Sequence, residues 1–390
     1  VRATGRRATP ATIAREWLRI GVTGFGGPPT HIALLRRLVV ERRHWLDEHE
    51  FEDAIAACNL LPGPASTQLA TFCARRVGGP AGAVLGGLAF IVPAVAMVTA
   101  LSVLFLTSAP PKWVAGAGAG AGAAVAAVAV HAGLGLVRPS FRRGAQSQVR
   151  RVRWALYAAL GVVASASVGG YVVLVLLACG AVELVLGTSS ESRGVNAHAF
   201  PAAIALGAAT GVGGLGALAW VAFKVGALSY GGGFVIVPLM RADAVHTYHW
   251  MTSGQFLSAV ALGQVTPGPV VATVAAVGYA AHGVGGAVLA AIVAFLPSFV
   301  FVLIGGGHFE RLRRNARAGA FLEGAGPAAI GAILGSAIPL ASALSETWQF
   351  IVLAAAAVAL LILRRGIVIT LVASGAVGVL VALAGGPLPG

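Results

Sequence analysis

Long apolar stretches separated by tight clusters of charge organise this chain. Between Arg76 and Lys112 lie 35 residues without Asp, Glu, Lys or Arg, between Lys112 and Arg138 another 25, and between Asp243 and Glu310 as many as 66. About 20 apolar residues cross a bilayer as a helix, so these intervals predict membrane spans. Candidate spans run over about 80–107, 112–137, 154–168, 170–187, 199–216, 283–304, 319–342, 347–363 and 366–385. Regions 11–76 and 217–281 read differently: their apolar runs are short and interrupted by Gly and Pro, as in broken or re-entrant helices.

Composition agrees with that pattern. A soluble chain of 390 residues would form two or three domains, but 57% of these residues are hydrophobic and only 10% charged, where soluble domains carry about 25% charge. The expected class is an all-α polytopic membrane protein. Its net charge of +14 does not indicate a nucleic-acid partner, because 25 of its 27 cations are arginines set between apolar segments, the placement of positive-inside anchoring. Cys58, Cys73 and Cys179 share no metal or redox spacing and read as small packing residues. No cleavable signal peptide is expected where Arg2, Arg6, Arg7, Arg15 and Arg19 interrupt the first apolar residues.

The chain also matches itself. At an offset of 205 residues Gly21 falls on Gly226, Gly26 on Gly231, Gly27 on Gly232, Arg36 on Arg241, Trp45 on Trp250, Phe51 on Phe256 and Pro62-Gly63-Pro64 on Pro267-Gly268-Pro269. After a slip of one residue, 90–94 falls on 294–298, and Trp154 and Trp348 each open a pair of short apolar helices. Arginine placement is antisymmetric between these halves. Arg36, Arg37, Arg42, Arg43, Arg75 and Arg76 face a counterpart that keeps only Arg241, and the loop 138–153, with six arginines, faces 342–347, which has no cation. Conversely, Arg311, Arg313, Arg314 and Arg317 answer a turn with Lys112 alone, and Arg364 with Arg365 answers 165–170. Because cytoplasmic loops are enriched in Lys and Arg, two repeats of opposite orientation are expected, 1–197 and 217–390, joined by a linking transmembrane helix at 198–216. The N-terminus is then cytoplasmic and the C-terminus outside.

Irregular backbone at membrane depth is tolerated only where it is buried in protein or lines a wet cavity. Four breaks form two matched pairs: Gly26-Gly27-Pro28 with Gly231-Gly232-Gly233, and Pro62-Gly63-Pro64 with Pro267-Gly268-Pro269. Proline suits the first turn of a helix and glycine the turn before it, so each break is expected to start a half-helix. Helix N-termini carry free N–H groups and about half a positive charge; several converging would hold a small oxyanion. Asn59 and Gln264 are equivalent carboxamides three residues before each PGP, Ser66, Thr67 and Gln68 follow the first, and Thr266 and Thr273 flank the second. All can donate hydrogen bonds without burying a full charge. Lys224, between apolar Trp220–Phe223 and Val225–Leu228, reads either as an anion partner or as an ammonium reaching the interface.

Other candidates are thinner. Asp47, Glu48, Glu50, Glu52 and Asp53 read as the dipole-complementing first turn of a helix, with proton coupling as the alternative. The histidines lack metal spacing, and there is neither a phosphate-gripping loop nor a dinucleotide fingerprint. No cofactor, metal or ATP hydrolysis is expected.

Phe25-Gly26-Gly27-Pro28 followed by Thr30-His31-Ile32, then Arg43-His44-Trp45-Leu46 and Leu60-Leu61-Pro62-Gly63-Pro64-Ala65-Ser66-Thr67-Gln68-Leu69-Ala70, resemble the signature of the chromate ion transporter family. Ser229-Tyr230-Gly231-Gly232-Gly233 and Thr266-Pro267-Gly268-Pro269 resemble the C-terminal repeat of its two-domain members. The sequence departs from the family in Pro28-Pro29, where glycine is usual, and in Asn59, where a longer carboxamide is common. The resemblance implies a multi-pass inner-membrane exporter of chromate that confers chromate resistance, with sulfate as a similar competitor and a homodimer as one compatible assembly. Sulfate uptake on the same scaffold, a membrane redox enzyme and a purely structural scaffold are the alternatives.

Overall fold

A computed structural model of the chain describes residues 8–61, 63–107, 109–144, 147–167, 172–188, 214–229, 233–305 and 316–389. Local chemistry starts the first helices. Helix α1 (Pro10–Thr23) begins on Thr9, whose hydroxyl accepts from the Thr12 N–H. Helix α2 (Pro28–Arg36) opens on its proline pair after Gly27 at φ 73°. The acidic run caps α3 (Glu48–Leu60), the Asp47 carboxylate accepting from the Glu50 N–H, so it acts as a helix cap. Helix α4 (Ala65–Phe105) bends at Gly79. It is followed by α5 (Lys112–Ala123), α6 (Val125–Gly144), α7 (Gln148–Ser167) and α8 (Val172–Thr188).

The second half comprises α9 (Leu215–Leu228), α10 (Ile236–Arg241), α11 (Ser253–Val265), a 3-10 turn at Val270–Thr273, α12 (Val274–Gly305), α13 (Ala316–Ala341), α14 (Thr347–Ala357) and α15 (Ile367–Leu383). Helix α1 maps onto α9 and α3 onto α11 at the offset seen in sequence. The wide turns Arg37–Arg42 and Ala242–Thr247, which close α2 and α10, coincide in the same way. His44 and His249, each at φ 50°, follow those turns. There the N–H groups of Trp45 and Trp250 donate to the Val39 and Ala244 carbonyls, both at 2.8 Å. A left-handed conformation costs a residue with a Cβ about 1–2 kcal/mol, so its recurrence at matched positions marks a shared geometry. The bends coincide after the one-residue slip, Gly79 on Gly283.

One expectation changes. The basic segment 138–153 is mostly helix: α6 continues through Pro139 to Gly144, and α7 starts six residues before Trp154, where Ser147 Oγ accepts from the Arg150 N–H at 3.3 Å. Arginine is a good helix former whose charged end reaches water from a helix that outruns the hydrocarbon. The span expected at 112–137 is present as Lys112–Arg142, α5 and α6 being separated only by a turn at Ala124, and its counterpart α13 is continuous. The linking helix at 198–216 lies outside the described residues except for 214–216, of which Leu215 and Gly216 already belong to α9.

Within each half the long helix packs on the first: Gly21 of α1 lies on the Phe90 backbone of α4, and Gly226 of α9 on the Ala294 backbone of α12. The buried Trp17 indole donates to the Ala70 carbonyl at 2.8 Å. The halves also exchange helices, α13 packing on α7 and α8 while α15 packs on α5. Gly120 touches the Ser374 and Gly378 backbone, leaving no room for a Cβ, the close approach by which membrane helices associate without a hydrophobic drive. Large apolar side chains such as Leu88, Val92, Leu296, Ile304, Ile369 and Leu383 face outward, and four helices are long and apolar enough to cross a bilayer. No strand occurs among the described residues. This is an all-α polytopic membrane protein.

Candidate functional site

The breaks of both halves close around one cavity of about 750 Å³. Gly26, Gly27, Pro28, Asn59, Gly63, Gln264 and Gly268 line it, and α6, α7 and α13 supply the far wall. Asn59 is exposed into this space, whereas its equivalent Gln264 is only 8% exposed and its Nε2 has no hydrogen-bond partner. Matched residues therefore meet solvent unequally.

Each PGP loop rests on the opposite half. Gly63, at φ 116°, faces the Gly226 carbonyl, and Gly268, at φ 102°, faces Ala94 and the Gly21 carbonyl. The Gly268 N–H donates to the Gly24 carbonyl at 3.0 Å. That same carbonyl accepts from Nε2 of the fully buried His31 at 2.9 Å. The first break and the second loop are thus clasped together, and the Gly268 amide is used by the fold.

The helix starts are less uniform than the matched breaks suggest. Helix α4 begins at Ala65, directly after Pro64, and the Thr67 and Gln68 amides turn back to the Pro64 carbonyl. Its first two amides, at Ala65 and Ser66, have no partner inside the helix. Helix α2 is a poorer donor than expected because Pro28 and Pro29 carry no N–H. The second PGP starts a 3-10 turn, and the second glycine break leads to only six residues of α-helix. Pro28, Pro64, Ser66 and Gly233 meet Val270 and Val271 around a crevice of about 10 Å³, roughly room for one water.

Thr67 and Gln68 are fully buried. Thr266 and Thr273 donate to their own helix carbonyls, at Leu262 and Val270, so neither offers its proton to the cavity. Pro267 and Pro269 flank Gly268 without lining the cavity. Pro62, Gly231 and Gly232 lie outside the described residues. Sequence reasoning missed the far wall, where His131, Ser140, Trp154 and Glu323 line the space and the Trp154 indole donates to Ser140 Oγ at 3.0 Å. Glu323 sits 3.7 Å from Arg150. Its only sequence signal was a lone carboxylate within an apolar run.

Lys224 is corrected as an anion partner. Its Nζ donates to Asp243 Oδ2 at 2.7 Å and lies over the Trp220 ring, outside the cavity lining. A carboxylate at that distance neutralises the ammonium's charge and takes one of its three protons. The first half carries the opposite arrangement: buried Glu16 on α1 accepts from Arg42 and Arg43, both at 2.6 Å. In each half an ion pair braces the arm before the glycine break to the turn after it. Lys224→Ala is expected to destabilise the protein by about 3 kcal/mol by stranding Asp243. Lys224→Met combined with Asp243→Leu should recover most of that loss in detergent unfolding, and purely additive losses would show that the two side chains do not act as a pair.

Helix breaks from two matched halves, meeting at one cavity inside a membrane bundle, are the architecture of a membrane transporter. The chain belongs to the chromate transporter family, whose model matches residues 11–184 and 216–379. It is 32% identical over 335 residues to the chromate transport protein of Cupriavidus metallidurans, covering 83% of this chain and 81% of that one. To the chromate transport protein of Pseudomonas aeruginosa it is 31% identical over 349 residues, covering 86% and 82%. A probable chromate transport protein of Synechococcus elongatus is 28% identical over 337 residues, covering 84% of each chain. No solved structure matches the chain.

Proposed function

We propose that this protein exports chromate from the cytoplasm as a secondary transporter, binding the dianion in the cavity between two oppositely inserted repeats. The observation that carries the reading is the convergence of Gly63, Gly268, Asn59 and Gln264 on one cavity. Amides at the start of α4 and neutral carboxamides suit an oxyanion that must also leave again. Sulfate, with the same shape and charge, is expected to compete.

Packing supports the inversion of 217–390 relative to 1–197 about the linking segment 198–216. Gly331 lies on Ala158 and Gly335 on Val162, so α13 and α7 run in the same direction. Helix α6, which corresponds to the second part of α13, runs against α7, since Ser140 and Phe141 of α6 both meet Trp154 of α7. With that inversion the arginines gather on one side, and the positive-inside tendency supports a reading with the N-terminus and the ends of α6 and α7 in the cytoplasm and the C-terminus outside. The cavity reaches Ser140, Trp154 and Glu323 at those ends, so this state opens inward. Closing Asn59 off while freeing Gln264 would turn the site outward, and such export would confer chromate resistance.

The test is labelled chromate flux into liposomes holding the purified protein and no nucleotide. Saturable flux reduced by sulfate is expected; flux equal to that of protein-free liposomes would overturn the reading.

A further inference from the structure

We propose that Ser298 of α12 is a substrate-binding residue and that the protein holds one oxyanion, at the first PGP loop, rather than one at each loop. This rests on the oxyanion reading above and assigns it a donor from the second half.

Gly63 lines the cavity, and a Cβ built there would lie 2.7 Å from Gln68 Nε2 and 3.2 Å from Ser298 Oγ. A carboxamide from one half and a hydroxyl from the other therefore converge on the same point. Ser298 is 0% exposed and its Oγ has no hydrogen-bond partner. Buried hydroxyls in membrane helices usually donate to the carbonyl one turn back, as Thr71, Ser102 and Ser336 do here at 2.6–2.8 Å. For Ser298 that carbonyl belongs to Ala294, which is packed under Gly226, and the hydroxyl turns toward the loop instead. Thr67 Oγ1 and Ser229 Oγ are likewise buried without partners. Leaving such groups unpaired is costly unless a ligand completes them.

The second loop lacks these hydroxyls although its glycine takes a similar φ, 102° against 116°. Ala94 stands where Ser298 would be and Ala272 where Thr67 would be. Its amide at Gly268 is bound to Gly24. The unpaired hydroxyls of Ser298 and Thr67 thus have no counterpart at the second loop, where the unpaired donor is the carboxamide of Gln264. Unpaired hydroxyls offer protons to a ligand rich in acceptor oxygens, as a tetrahedral dianion is.

Ser298→Ala, Ser298→Cys and the mirror variant Ala94→Ser test this in proteoliposomes, together with equilibrium binding of labelled sulfate. Ser298→Ala is expected to raise the half-saturating chromate concentration about tenfold, with maximal flux and unfolding midpoint within about twofold and a few degrees of the parent. Ser298→Cys, a weak donor of similar size, should fall between. Ala94→Ser should behave as the parent, and one sulfate should bind per chain. Unchanged half-saturation in both Ser298 variants, a lowered maximal flux with unchanged half-saturation, or two sulfates per chain would overturn the proposal while leaving a working transporter. Absence of flux in the parent and in Ala94→Ser would instead overturn the transport reading on which it rests.

Discussion

Gly63→Leu is expected to lower chromate flux about a hundredfold while the protein still inserts and folds. Two terms add. A residue with a Cβ at φ 116° carries about 1–2 kcal/mol of backbone strain. Forcing a side chain onto Gln68 Nε2 and Ser298 Oγ adds about 1–3 kcal/mol of overpacking. A combined loss near 2.7 kcal/mol corresponds to about a hundredfold. Gly268→Leu should act similarly, since its Cβ would meet Ala94 at 2.6 Å. Gly79→Ala separates the terms, because Gly79 has φ 69° but nothing within 4 Å of a Cβ. It should cost strain alone and leave most of the flux. Equal losses in Gly63→Leu and Gly79→Ala, or parental flux in Gly63→Leu, would show that the first loop does not form the site.

The second large effect is electrical. One charge crossing 100 mV gains about 2.3 kcal/mol, so a dianion gains about 4.6 kcal/mol, on the order of a 10³-fold concentration ratio at balance. Vesicles held at stepped potassium-diffusion potentials should accumulate chromate toward the positive side, with a tenfold change in ratio for roughly every 30 mV. A ratio independent of voltage would mean electroneutral transport, with two compensating charges carried per chromate. Asp47 would be a poor carrier of those charges, since it is committed to capping α3.

Much of the fold was legible because its causes are local. Charge-free intervals longer than a bilayer crossing, and a glycine or proline at each break, are properties of adjacent residues that act before any tertiary contact forms. The repeat was legible for a related reason: equal backbone constraints recur at equal spacing, down to His44 and His249 in the same left-handed turn. The extent of helix in 138–153 was misjudged because arginine density marks where the chain meets water, which is a different question from where a helix ends.

The candidate site was only half legible. Asn59, Gly63, Gln264 and Gly268 announced themselves as polar or conformationally special residues within apolar chain, and they line the cavity. Lys224 announced itself equally well but is held by Asp243 across the break, a partner no short-range pattern could supply. The wall at His131, Trp154 and Glu323 depends on how α13 docks against α6 and α7.

What the sequence by itself determined is the solvent, the repeating unit and the places where helices break, because hydropathy and backbone freedom belong to individual residues. What only the tertiary structure decided is that the breaks face each other, that each PGP loop rests on the other half, and which donors remain unpaired there. Those depend on side chains some 200 residues apart being brought within a few ångströms, and a hydroxyl such as that of Ser298 is chemically the same in sequence whether its proton is used or free.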